Sequence, residues 1–121
     1  MTSDVFRMPI RVVFYREEER TIAHCLELDL LGDGDTREEA IERLSQAIRI
    51  QVEASVEFGN PRNLFRPADS EIFQMYAAGR DIGKGNLEIE VKNIEVKNIE
   101  VDEYDAREYV APNHDQDLVS A

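Results

Sequence analysis

An α+β fold is predicted, on three features of the chain. Two β-branched and aromatic runs lie close together near the start, a long amphipathic helix follows a capping box, and a second β-rich stretch covers residues 87–101. The implied order is β-β-β-α-β, with a short second helix ahead of an extended C-terminal β segment.

The first strand is IRVVFY, residues 10–15. Its apolar side chains fall on both alternating faces, Ile10, Val12 and Phe14 on one and Val13 and Tyr15 on the other, so cover on both sides is expected. The polar run REEER separates it from TIAHCLEL, the second arm of a hairpin. In that arm Ile22, His24, Leu26 and Leu28 share one face, while Ala23, Cys25 and Glu27 share the other. Leu30 and Leu31 begin a third strand that ends in the glycine-aspartate run GDGD.

Thr36 is a strong N-cap, because its hydroxyl can accept from the free amide three residues on. Glu39 can reach back to the amide of the cap, completing a capping box. Asp35 and Glu38 add negative charge near the positive end of the helix dipole. The helix runs from Arg37 to about Glu57, with Ala40, Ile41, Leu44, Ala47, Ile48 and Val52 at three- and four-residue spacing. Gly59 and Pro61 stop it. A second helix is read in ADSEIFQMYAAG, with Ile72, Phe73 and Tyr76 as its apolar stripe, and GRDIGKGN as a flexible connection after it.

The second β region carries an internal repeat: IEVKN at Ile89, again at Ile94, and IEVDE at Ile99. A period of five fits neither a strand nor a helix, since Leu87, Ile89 and Val91 share one strand face while Ile94 and Val96 fall on the other. Bulges or turns near Asn93 and Asn98 would reset the alternation. Leu87, Ile89, Val91, Ile94, Val96, Ile99 and Val101 are the candidates for self-association by strand addition. The tail from Asp102 is acidic with scattered apolar residues and is expected to be disordered. The expected division is therefore 1–86 as the α+β domain, 87–101 as the β segment and 102–121 as the tail.

With 26 acidic and 14 basic residues in 121, the net charge of -12 lacks the footprint of a protein that neutralises many phosphates, and a basic protein is the natural partner. Arg49, Arg62, Arg66 and Arg80 are the candidates for a local basic patch. The single Cys25 excludes an intramolecular disulfide and a multi-thiolate zinc site within one chain, and it fits a reducing, cytoplasmic setting. No stretch approaches the apolar length of a membrane span.

The run IAHCLELDLLGDGDTREEAIERLSQAI resembles the HicB-like antitoxin family. The likeness is carried by Ala23, Cys25 and Glu27 in a strand, Gly34, Asp35 and Thr36 at the end of a loop, and Glu38, Glu39 and Ala40 at a helix start. It covers residues 10–56; the pieces are common singly, but their order and spacing are much less so. The resemblance implies a fold like a cut-down ribonuclease H domain. It also implies a role in binding and silencing a small basic ribonuclease toxin of the HicA type. The expected protein is a non-catalytic homo-oligomer, since the two-sided apolar first strand and the β segment 87–101 offer surfaces for self-association. Many such antitoxins carry a C-terminal DNA-binding segment, whereas this chain is acidic and β-like after Asn86, so direct operator binding is not expected. The alternative is a solitary oligomeric structural or regulatory module of the same type.

A ribonuclease-H-like ancestry also raises a metal-dependent nuclease, which needs converging carboxylates. Glu27, Asp29, Asp33, Asp35 and Glu39 are available, but capping accounts for Asp35 and Glu39, and Asp33 fits a glycine turn on backbone grounds. DGDTREE lacks the spaced ligands of a calcium loop. His24 and Cys25 are strand neighbours pointing to opposite faces, which opposes a shared metal, and His114 lies in the tail. No catalytic, metal or cofactor residues are therefore expected. Glu27, Asp29 and Asp33 are the candidates for contact with a basic partner.

Overall fold

A computed structural model describes residues 5–57, 64–91 and 98–112. The elements are β1 (Val5–Arg7), β2 (Arg11–Glu17), β3 (Arg20–Cys25), β4 (Leu30–Gly34), α1 (Arg37–Glu57), α2 (Ser70–Ala78), β5 (Arg80–Glu90) and β6 (Asn98–Glu108). The fold is a mixed α+β sheet with two helices among the described residues.

β6 organises the sheet. One side of it pairs antiparallel with β5, and the other pairs in parallel with β1 at residues 98–100 and with β2 at residues 105–108. β1 and β2 thus follow one another along the same neighbour, interrupted at Met8–Pro9–Ile10, where proline has no amide to offer a ladder. β3 and β4 continue the sheet beyond β2 as antiparallel strands.

The two-sided pattern of the first strand is used as expected. Ile10, Val12 and Phe14 join Ala23, Cys25 and the α1 residues Ala40, Leu44, Ile48 and Val52 in the larger core, while Val13 and Tyr15 join Leu26 and the α2 residues Ile72, Phe73 and Tyr76 in a smaller one. α1 covers one face of the sheet and α2 rests on β2 on the other. Leu28 departs from its expected face: β3 ends at Cys25, and the turn that follows carries Leu28 into the α1 core.

Three readings are corrected. β4 ends in the glycines of GDGD as expected, but Asp33 sits in no glycine turn, because the strand runs through Gly32–Asp33–Gly34 with Thr21 opposite Gly34 and Ile22 opposite Asp33. Its two glycines share the face on which α1 lies: a Cβ at Gly32 would collide with the backbone at Ala40, Arg43 and Leu44, and one at Gly34 would meet Glu39 and Ala40. They are glycines because the helix backbone rests on the strand. GRDIGKGN is not a flexible connection but the first half of β5, bulged between Asp81 and Gly83 and again between Gly85 and Leu87. The strand before the tail does not stop at Val101; β6 runs to Glu108, held between β5 and β2.

The repeat has a simple geometry. β5 and β6 run antiparallel with Ile89 opposite Ile99 and Leu87 opposite Val101, so the first and third copies face each other. Ile89, Val91, Ile99 and Val101 lie in the α1 core and Leu87 packs against it. Ile94, Val96 and most of the second copy lie outside the described residues, as do Gly59, Pro61, Arg62 and residues 113–121 of the tail.

Candidate functional site

The β2–β3 hairpin sets the local geometry. Glu17 pairs with Arg20, leaving Glu18 and Glu19 as a two-residue turn with φ of 50° and 68°. Val13 stands opposite His24, which places Tyr15 diagonally across from His24 on the α2 side. The Tyr15 hydroxyl lies 2.9 Å from His24 Nδ1, and His24 Nε2 lies 2.8 Å from Asp29 Oδ1. Asp29 reaches this position from a left-handed backbone, φ 51°, while its amide donates to the Cys25 carbonyl.

One protonation pattern satisfies all three groups: Nε2–H donates to the Asp29 carboxylate, and Nδ1 accepts from the Tyr15 phenol. His24 is buried, so this full satisfaction matters energetically. Burial, followed by the charges of Glu17, Asp29 and Glu71, pushes the Tyr15 phenol up to about 12. It is therefore a proton donor at neutral pH and not a phenolate nucleophile.

The other candidate acids are held in separate internal pairs. Glu27 accepts from the Arg11 backbone amide at 2.7 Å and from its Nε at 2.6 Å. The Arg11 guanidinium lies over the rings of Phe73 and Tyr76, and Arg107 lies over Tyr76 at 4.5 Å, so Glu27 serves the docking of α2. Asp33 and Asp35 share Arg20, at 3.1 and 2.8 Å. Thr36 accepts from the Glu39 amide at 3.1 Å as expected of an N-cap, but Glu39 reaches back to the amide of Asp35, not to that of Thr36. Glu27, Asp29 and Asp33 thus occupy one side of the sheet without converging.

No group of three or more His, Cys, Asp or Glu residues able to hold a metal ion occurs among the described residues. Cys25 is fully buried, and burial pushes its thiol up to about 12. Among the basic candidates, Arg49 and Arg66 are exposed on α1 and in the loop before α2, and Arg80 on β5 pairs with Glu108. An open cleft of about 1220 Å³ lies beside the hairpin, lined by Phe14, Tyr15, Arg16, Met75, Glu108 and Tyr109 among others.

As a unit, the Tyr15–His24–Asp29 chain lies outside the expected sites, because the sequence pattern places His24 only as a strand residue on the face opposite Cys25. A two-residue hairpin turn would have set Tyr15 diagonal to His24; nothing in the sequence signals the left-handed backbone at Asp29.

The fold and these pairs define an α+β protein in which Glu27, Asp29, Asp33 and Asp35 hold its own elements in place. No helix among the described residues is long and apolar enough to cross a membrane. Comparison with protein-family models, curated proteins and solved structures gives no match.

Proposed function

We propose that this chain is a non-catalytic binding protein of the HicB-like antitoxin type, which sequesters a small basic ribonuclease. The observation that carries the reading is the fate of the acids a nuclease would need. Glu27 is committed to Arg11, Asp29 to His24, and Asp33 with Asp35 to Arg20, in three separate places. Two-metal chemistry requires carboxylates that face one another across a cation pair. What the acids leave outward is negative surface, and a net charge of -12 steers a basic protein toward it.

Self-association of a solitary module is the competing reading. The described apolar side chains on which it rested, Leu87, Ile89, Val91, Ile99 and Val101, are packed against the α1 core of the same chain. That weakens self-association through these residues in either reading, and the negative surface is what favours the antitoxin type.

The test is co-expression with the product of a short neighbouring reading frame that encodes a basic protein. Copurification together with relief of growth arrest supports the proposal. Growth arrest that persists, with no complex formed, overturns it.

A further inference from the structure

Among the described residues β1, β4 and β5 each have a side with no strand partner; β1 is only three residues long, and the two longer edges, β4 and β5, are built differently. β5 carries the devices that keep an edge from accepting another strand: two register shifts, a left-handed Gly83 at φ 107°, and the charges of Arg80 and Lys84. Its regular end presents Glu88 and Glu90 outward, while Leu87 and Ile89 turn toward the core. β4 has no register shift and no left-handed residue. Its ladder to β3 runs without a shift from Leu30 to Gly34, and no described strand pairs with its outer side.

β4 also exposes an apolar side chain where β5 does not. Leu31 stands opposite His24 on the α2 side of the sheet, and α2 rests on β2, so Leu31 remains 48% exposed. Asp33 follows on the same strand face, with Asp29 just before the strand and Asp35 just after it. Arg20 offers one guanidinium against these three carboxylates. A bare ladder, an apolar anchor and flanking negative charge coincide on five residues.

We infer that the outer edge of β4 receives an extended basic segment of a partner protein as an added strand, with an apolar residue beside Leu31 and Lys or Arg toward Asp33 and Asp29. Main-chain hydrogen bonds supply affinity in such a mode and alternate side chains supply specificity. A second copy of this chain fits worse. Antiparallel self-pairing about Gly32 sets Asp29 opposite Asp35 of the second copy, and like charges directly opposite are destabilising. The inference deepens the antitoxin reading, resting on it only for the basic character of the partner.

The test uses the full chain and a fluorescent octapeptide of alternating lysine and valine, followed by anisotropy at low ionic strength. Binding is expected, and methylating alternate backbone nitrogens of the peptide is expected to weaken it about tenfold or more. Leu31→Glu separates strand addition from simple charge attraction. Added negative charge alone would tighten a basic peptide, whereas loss of the apolar anchor weakens it about tenfold. An unchanged thermal midpoint shows that the variant is folded. No binding by the unmodified peptide, equal binding by the methylated one, or tighter binding by Leu31→Glu overturns the inference. So does a dimer of the chain that Leu31→Glu dissociates, which would make a second copy the occupant. A toxin complex that forms equally well with Leu31→Glu would overturn the β4 edge as the interface while leaving the antitoxin reading intact.

Discussion

The Tyr15 phenol meets Nδ1 of the buried His24 at 2.9 Å, across the diagonal of the β2–β3 hairpin. This contact joins the hairpin to the turn that follows β3, because the other ring nitrogen of His24 holds Asp29.

Replacing Tyr15 by phenylalanine leaves a buried ring nitrogen without its donor, at an expected cost of about 1–3 kcal/mol. The variant also has a pH signature. Burial raises the phenol from 10.0 to about 12, so between those values the unfolded chain has released a proton that the folded chain still holds. This stabilisation is fully present below pH 10 and is lost as pH rises toward 12. Urea midpoints of the unmodified protein should therefore fall more steeply across that window than those of Tyr15→Phe.

Gly32→Ala forces a methyl group against the α1 backbone at Ala40, Arg43 and Leu44. Backbone cannot rotate out of the way as a side chain can, and overpacking of this kind costs about 1–3 kcal/mol or more. Thermal unfolding should show a clear drop in midpoint, with helix content by circular dichroism retained at low temperature.

Glu18 and Glu19 both occupy left-handed backbone in the hairpin turn, a conformation that favours Asn-Gly. The double change Glu18→Asn with Glu19→Gly relieves a strain of about 1–2 kcal/mol per residue and should raise the unfolding midpoint. A fall in midpoint would count against a left-handed backbone at Glu18 and Glu19.

Cys25 is fully buried and its thiol is pushed from 9.0 up to about 12 by that burial. A thiol-reactive disulfide reagent near pH 8 should therefore label the folded protein only as fast as it opens. Denaturant should raise the rate to that of a free cysteine. Rapid labelling of the native protein would contradict the burial.

Local signals were the most legible. Thr36 caps α1, the apolar spacing from Ala40 to Val52 faces the sheet, and the stripe Ile72, Phe73, Tyr76 faces the smaller core, because each depends on neighbours within a few residues. What failed depended on distant chain. Gly32 and Gly34 read as turn formers, since their need for a missing Cβ appears only when α1 folds back onto β4. GRDIGKGN reads as a linker because its glycines serve bulges and the close approach of the Tyr104 ring to Gly85, which only the pairing of β5 with β6 creates. The three candidate acids were visible as charges, but their partners Arg11, His24 and Arg20 were fixed by strand register.

The pairing of β6 on both of its sides bears on how the domain assembles. Val5 to Arg7 pair with residues 98–100, so the sheet joins segments more than 90 residues apart, and β6, an internal strand, is the last to leave the ribosome among those described. Until Glu108 is available, β2 has an open edge where β6 will sit, and β5 has no partner strand at all. Closure is thus delayed, as expected for a fold dominated by non-local pairing. A nascent or shortened chain ending before Asn98 would hold both helices yet leave β2 with an unpaired edge and β5 without a partner, a natural point for chaperone capture or aggregation.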